Sequence, residues 1–347
     1  MIPIQNIYYM LSYAFHVLRE QDYKNIETEP FDNVAELCAA ILAKGVALQL
    51  KRGLWREYIE KAEPLSSPRG KIQVTDSIKT CSLLKTQLVC SYDNFSENVY
   101  MNRILKTTMM ILWRADIAKA RKKDLQKLLI FFGDVEVLHD LHSINWNMSF
   151  HRNNQTYRML ISVCYLVING LLQTTADGAT LIMDLLDEQR MCRLYEKFIL
   201  EYYRKEFPQL SANASQIPWA LDDGKGDMLP IMQSDITLSR GNRVLIIDAK
   251  YYAHTTQEQY HARTLHSGNL YQIFTYVKNK EAQPADIPRK VSGMLLYART
   301  DEAVQPDNVY QMSGNTIYVR TLDLTGDFAA LSAQLDAIAK EYFELDG

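Results

Sequence analysis

The chain has 347 residues, 47% of them apolar and 23% charged, with 14 glycines and a net charge of −3. That length and balance suit two domains with real cores and exclude wholesale disorder, collagen-like repeats and flexible linkers. Apolar runs such as Leu128 to Phe132 fall far below the ~18 residues of a membrane helix, so no membrane association is expected. The opening residues, Met1 to Asn6, lack the basic start and cleavage pattern of a secretory signal. Five scattered cysteines with no C-x-x-C pair argue against a disulfide framework or structural zinc and make the cytoplasm the expected compartment. Residues 1–152 carry 20 Lys/Arg against 17 Asp/Glu, and residues 153–347 carry 18 against 24. Global charge thus makes no case for nucleic acid, and a partner is expected to supply much of any phosphate neutralisation.

In chain order, residues 4–20 read as an amphipathic helix, with Ile7, Met10, Leu11, Ala14 and Leu18 at helical spacing. A second helix is expected over 33–58. The turn cluster Pro64 to Gly70 precedes a strand over 71–74, and 88–92 is a further strand. Asp93 to Ser96 offer N-caps for one long helix over 97–120. Helices follow at 154–171 and 187–207, the latter stopping before Pro208. Strands at 231–238 and 243–251, joined by the turn Arg240-Gly241-Asn242, read as an antiparallel hairpin. A helix at 268–279, a buried strand at 291–297, an edge hairpin at 308–321 and a closing helix at 328–343 complete the chain. The expected class is α/β (α+β): a C-terminal domain, 153–347, with a mixed sheet flanked by helices, after a mixed helix/strand N-terminal domain, 1–152.

The chemistry concentrates at Ser234-Asp235-Ile236 and Asp248-Ala249-Lys250. Asp248 ends an apolar strand stem, where a carboxylate is costly unless something pairs with it. Residues i and i+2 of a strand share a face, so Asp248 and Lys250 emerge side by side. A hairpin brings Asp235 alongside Asp248. Two carboxylates with the Ala249 carbonyl form an all-oxygen donor set suited to Mg²⁺, with Mn²⁺ able to substitute. A lysine beside a metal-bound water can orient it, lower its pKa or stabilise developing charge, as metal-assisted phosphodiester hydrolysis requires.

The Asp…Asp-Ala-Lys pattern in this strand context resembles the PD-(D/E)xK nuclease core, with Ser234 where the motif's name has Pro. Gln272 and Tyr276, four apart on one helix face, resemble the Q-x-x-x-Y pattern of the RecB-like and lambda-exonuclease-like branch. That resemblance implies that both help position the DNA strand and the active-site neighbours, and that Glu196, on the helix before the sheet, contributes to the metal site. Ile2 to Ala14, Asn102 to Lys106, Asp248 to Tyr252 and His266 to Gln272 resemble, in order along most of the chain, the McrC family of McrBC modified-cytosine restriction systems. The resemblance implies a Mg²⁺-dependent DNA endonuclease subunit that works with, and stimulates, a McrB-like AAA+ GTPase ring. Its substrate is then double-stranded DNA with modified cytosine, cut in the C-terminal part while the N-terminal part engages the ring. GTP acts on that partner. The chain itself has no phosphate loop, because Arg69-Gly70-Lys71 lacks the spacing and is followed by Ile72.

Plainer readings stand beside these. Asp-x-Lys ends many salt-bridged surface hairpins, and Gln272 and Tyr276 can simply pack or cap a helix. For Glu196 a solvated helix face and a metal ligand are both open. His254, His261 and His266 follow the Asp-Ala-Lys strand in a segment that reads as a loop around 255–258. Lys250 already fills the place beside the water, which leaves these histidines a small part. Arg121-Lys122-Lys123 reads as a solvated helix end, with a DNA or partner contact as the alternative, and Tyr8, Tyr9 and Tyr13 as packing residues with outward hydroxyls rather than a base-stacking platform. The competing function is a non-cutting assembly protein whose nuclease-like fold docks on a motor and activates it.

Overall fold

A computed structural model describes residues 2–15, 18, 23, 26, 29, 31–150, 155–174, 188–252, 256–259, 262–284 and 287–345. The elements begin with α1 (Ile4–Ala14), α2 (Val34–Arg52), β1 (Glu57–Leu65), β2 (Lys71–Ile72), α3 (Val74–Lys79), β3 (Leu88–Ser96), α4 (Tyr100–Arg114), α5 (Lys119–Leu129) and α6 (Gln155–Thr174). They continue with α7 (Glu188–Glu206), β4 (Ser211–Asn213), β5 (Gln216–Ile217), β6 (Met232–Gln233), β7 (Ile236–Arg240) and β8 (Arg243–Lys250). Then come β9 (Thr256–Gln259), β10 (Ala262–Leu265), α8 (Ser267–Glu281), β11 (Lys290–Ala298), β12 (Asn308–Met312), β13 (Asn315–Leu322) and α9 (Phe328–Phe343). The chain forms two compact units, Met1–Glu29 with Leu186–Gly347, and Pro30–Leu185.

In the inserted unit, Pro30–Leu185, a reciprocal cap starts α2. Asn33 Oδ1 accepts from Glu36 N–H at 2.9 Å, and Glu36 Oε2 accepts from Asp32 N–H at 3.1 Å, satisfying two otherwise orphaned donors. Glu36 Oε1 also accepts from Ala118 N–H at 2.7 Å. That bond helps explain why the helix expected over 97–120 is two: α4 stops at Arg114, Ala115 is extended, and α5 restarts at Lys119. Strands β1, β3 and β2 form an antiparallel sheet with β3 central. Gly70, at φ 71°, lies so close to β3 that a Cβ there would meet Ser91 O and come within 2.7 Å of Tyr92 Cβ. Its place in Arg69-Gly70-Lys71 is therefore steric. Inside the unit, Asn102 Nδ2 donates to Trp55 O and Glu97 O, both at 2.8 Å. Asn102 Oδ1 accepts from Tyr157 Oη at 2.7 Å, and Tyr157 Oη accepts from Trp55 N–H at 2.8 Å.

The other unit is built on a mixed six-stranded sheet in the order β12-β13-β11-β8-β7-β4. β8, β11 and β13 run parallel, and β7 pairs antiparallel with β8. Helix α8 is the crossover from β8 to β11, the connection that parallel neighbours need. It packs Ile273, Tyr276 and Val277 on Val244 and Ile246 of β8, Val291 and Leu295 of β11, and Ile317 and Val319 of β13. Gly293 permits this approach, since a Cβ there would lie 2.7 Å from Ile273 Cγ1 and 2.9 Å from Val277 Cγ2. Helices α7 and α9 are joined by Tyr202 Oη to Asp336 Oδ1 at 2.6 Å and Tyr203 Oη to Leu335 O at 3.0 Å.

Helix α1 belongs to this six-stranded unit. Asn6 Nδ2 donates to Leu324 O at 2.9 Å and Gly326 O at 2.7 Å, and Tyr9 stacks on Phe328 with centroids 4.2 Å apart. Tyr13 packs edge-on to Phe198 while its hydroxyl donates to Glu206 at 2.7 Å. The packing reading of these tyrosines is correct for the rings, although Tyr13's hydroxyl is tied inward. The compact units therefore divide differently from the expected boundary at 152, itself outside the described residues. The first helix joins the second-half sheet, and α6 joins the inserted unit. Other elements differ locally. The strand expected at 71–74 ends at Ile72 because Val74 opens α3, and Asp93 to Ser96 finish β3 instead of capping a helix. The hairpin at 308–321 places only β12 at the edge, with β13 inserted beside β11. Residues 256–259, read as loop, pair with 262–265 as an antiparallel ribbon.

Candidate active site

The β7–β8 register pairs Ile236 with Ile247, and one step further sets Asp235 opposite Asp248. Since Ala249, one residue on, turns its N–H toward Asp235 (below), this position is a close, non-hydrogen-bonded pair, in which facing side chains approach most. The strand expected over 231–238 is broken at Ser234-Asp235. Ser234 N–H donates to Ser215 O at 3.0 Å and its hydroxyl shares a hydrogen bond with Thr237 at 2.8 Å, so Ser234 anchors the break. Asp235 Oδ2 accepts from Ala249 N–H at 2.9 Å. The N–H and C=O of one strand residue point the same way, so the Ala249 carbonyl also faces Asp235, away from β11.

Alternation puts Asp248 and Lys250 on the face of β8 that α8 covers. Asp248 is 2% exposed in its side chain, and its Oδ2 lies 2.7 Å from Lys250 Nζ. The two form a buried ion pair. Burial, then Asp248, then Glu196 push Asp235 up to about 8. Burial likewise raises Asp248 against the pull of Lys250. Burial acts to lower Lys250, but Asp248 outweighs it and holds the ammonium above its ordinary value. Lys250 is thus a standing cation, a donor and charge stabiliser rather than a base.

Helix α8 completes the row. Lys250 Nζ donates to Gln272 Oε1 at 3.1 Å, and Gln272 Nε2 donates to Tyr276 Oη at 2.9 Å. Asp235, Asp248, Ala249, Lys250, Gln272 and Tyr276 therefore meet as the sequence suggested. Asn269 had not been singled out. Its Nδ2 donates to Tyr297 Oη at 3.0 Å and its Oδ1 accepts from Tyr252 Oη at 3.4 Å. Tyr297 is the β11 partner of Lys250, so this second chain of bonds braces the same lysine. Its signal in the sequence is the i, i+3 spacing of Asn269 and Gln272. His266 precedes α8 and sets its ring edge-on to Tyr252 at 5.7 Å; His254 and His261 lie outside the described residues.

Glu196 on α7 is held by another residue missed in the sequence, Cys192, four positions earlier, whose thiol donates to Glu196 Oε1 at 3.0 Å. Glu196 lies within electrostatic reach of Asp235, Asp248 and Lys250, and burial raises its carboxyl. Among the described residues, however, no three His, Cys, Asp or Glu side chains converge as a metal-holding group. The oxygen set that fits a hard cation is Asp235, Asp248 and the Ala249 carbonyl. The fit shows in two carboxylates driven up by burial, one facing the other's charge, with the single Lys250 ammonium beside them.

Among the described residues no helix is long and apolar enough to cross a membrane. The Type IV methyl-directed restriction enzyme EcoKMcrBC of Escherichia coli (strain K12) is 29% identical over 350 residues, covering 99% of each chain. A refined half-complex from the tetradecameric assembly of Thermococcus gammatolerans McrB AAA+ hexamers with bound McrC aligns with 97% of this chain and 76% of that one, at 18% identity and a TM-score of 0.49. The cryo-EM structure of the Thermococcus gammatolerans McrBC complex aligns over 58% of each chain, at 20% identity and a TM-score of 0.43. Residues 5–298 match the family described as McrBC 5-methylcytosine restriction system component, and the chain belongs to that family.

Proposed function

We propose that this chain is a Mg²⁺-dependent DNA endonuclease subunit on a PD-(D/E)xK-type core, acting in a GTP-driven complex that restricts DNA with modified cytosine. The observation that carries the reading is the buried Asp235/Asp248 pair beside the Lys250 ammonium. A fold gains little from such a cluster, whereas a nuclease needs its parts. Asp235, Asp248 and the Ala249 carbonyl would hold Mg²⁺ or Mn²⁺, which when bound polarises the phosphate and activates water. Glu196 is the candidate further ligand, with Oε2 available to a cation while Oε1 accepts from Cys192. Lys250 donates toward the scissile phosphate and stabilises charge developing there. Gln272 fixes the direction of that ammonium, and Tyr276 fixes Gln272.

Family membership supports a partner, a McrB-like AAA+ GTPase ring that reads the modified base, hydrolyses GTP and is stimulated by this chain. The six-stranded unit holds 19 Lys/Arg against 26 Asp/Glu, so it repels DNA at long range and the chain alone is a poor nuclease. The test is cleavage of methylated duplex with partner, GTP and Mg²⁺. Asp248→Ala and Lys250→Ala should each lose about 10³-fold or more in rate while GTPase stimulation persists. EDTA should abolish cutting, and Zn²⁺, which prefers N and S ligands, should not restore it. A folded Asp248→Ala protein that cuts normally removes the site assignment. Wild-type chain that stimulates GTP hydrolysis but never cuts replaces it with the non-cutting activator.

A further inference from the structure

We infer that the exposed face of α5, in the inserted unit, binds the phosphate backbone of duplex DNA. The helix carries Lys119, Arg121, Lys122, Lys123 and Lys127 against the single acid Asp124. Lys119, Lys123 and Lys127 follow one another at i, i+4 and i+8, all exposed, while the opposite side buries Leu125. They form a stripe about 12 Å long at 1.5 Å per residue. Among the described residues Lys119, Lys122 and Lys123 pair with no carboxylate. Lys127 reaches Asp124 at 3.2 Å across solvent-exposed side chains, a pairing worth little in water. Arg121 lies 5.5 Å over the Phe31 ring and serves the packing of the unit.

Like charges four apart weaken a helix, and no described contact uses the Lys119 or Lys123 ammonium. Their placement suits a dense polyanion. Duplex DNA presents one negative charge per about 1.7 Å of axis, so the stripe spans about seven. The charge of the two units agrees. The inserted unit holds 19 Lys/Arg against 15 Asp/Glu, while the unit with the cutting site is strongly acidic. Phosphate neutralisation, the main source of non-specific affinity, is thus assigned to the unit that does not hold the chemistry. The choice of DNA over another polyanion rests on the nuclease reading above.

Binding of the full-length chain to labelled unmodified duplex, in EDTA, tests this by anisotropy between about 50 and 200 mM salt. The K119Q/K123Q/K127Q variant should bind about tenfold more weakly at low salt, with a log K against log salt slope reduced by about 2 to 3. K119R/K123R/K127R should bind as wild type, and K123Q alone should show about a third of the slope change. The assay reads binding alone, without metal, so its outcome stands whether or not the chain proves to be a nuclease, which separates this inference from that reading. Unchanged affinity and slope in the triple Gln variant, with its thermal midpoint at or above that of wild type, overturn the proposal. Loss of GTPase copurification with DNA binding intact also overturns it and assigns the stripe to an acidic protein face.

Discussion

Each unit buries a polar cluster, and the two are built on opposite rules. In the inserted unit Asn102, Tyr157 and the Trp55 and Glu97 backbone are neutral, and both Asn102 amide hydrogens and its carbonyl have partners. In the six-stranded unit two carboxylates, Asp235 and Asp248, face each other with one ammonium, Lys250, beside Asp248, and burial raises both carboxyls. The first cluster is complete without any added group, so it stabilises the fold. The second holds two facing carboxyls against one ammonium, a charge balance that, on the proposed function, a cation would restore. Whether a buried polar cluster closes on itself is thus a better guide to its role than its burial, which the two share.

The largest expected effects dissociate the two clusters. Asp248→Asn should lose about 10³-fold or more in cleavage while its stability in EDTA changes less than that of Asn102→Ala, because the repulsion of Asp235 that it relieves offsets the Lys250 ion pair that it breaks. Asn102→Ala strands Glu97 O, Trp55 O and the Tyr157 hydroxyl; it should cost about 3 kcal/mol of stability and leave the rate per folded molecule unchanged. Denaturant unfolding beside single-turnover cleavage measures both. If Asn102→Ala spared stability and removed activity, the contrast between closed and open clusters would collapse.

A pH experiment sharpens it. Asp235 titrates near its ordinary value of 3.8 when unfolded and is raised to about 8 when folded. Below about pH 4 it is protonated in both states. As pH rises toward 8 the unfolded chain is ionised while the folded one still holds the proton, so this contribution to stability is progressively lost. In EDTA the stability of Asp235→Asn relative to wild type should therefore climb between about pH 4 and 8 and level off above. The Mg²⁺-induced rise in thermal midpoint should grow over the same window, because the cation displaces that proton. A pH-independent difference would mean that folding leaves the Asp235 carboxyl near its ordinary value.

Gly293→Ala has an intermediate effect. The added methyl overlaps Ile273 and Val277, an overpacking worth about 1–3 kcal/mol, and shifts the helix carrying Gln272 and Tyr276. Cleavage should slow while the Mg²⁺ dependence stays put, as titrations of rate against Mg²⁺ would report. Tyr276→Phe is the mildest, since it removes one acceptor from Gln272 and leaves Lys250 bound to Asp248. A rate loss of about tenfold with unchanged stability is expected, and a loss as large as that of Asp248→Asn would promote Tyr276 from positioning to chemistry.

Local pattern alone determined the β7–β8 hairpin, the meeting of Asp235 with Asp248, and the shared face of Gln272 and Tyr276. The reason is that periods of 2 and 3.6 are short-range geometry, carried by residues near in sequence. Glu196 was legible only as a choice between solvent and metal, because its Cys192 partner looks like any other helix residue. Tertiary structure decided the rest. The apolar face of α1 does not say which core it enters; contacts with Phe198, Glu206, Phe328 and the Leu324 and Gly326 carbonyls draw it into the six-stranded unit. The break between α4 and α5 depends on Glu36, 82 residues away from the Ala118 amide it binds. Sheet order and the bracing of Lys250 through Tyr297 likewise depend on pairings between distant strands, whose partners no window of local sequence contains.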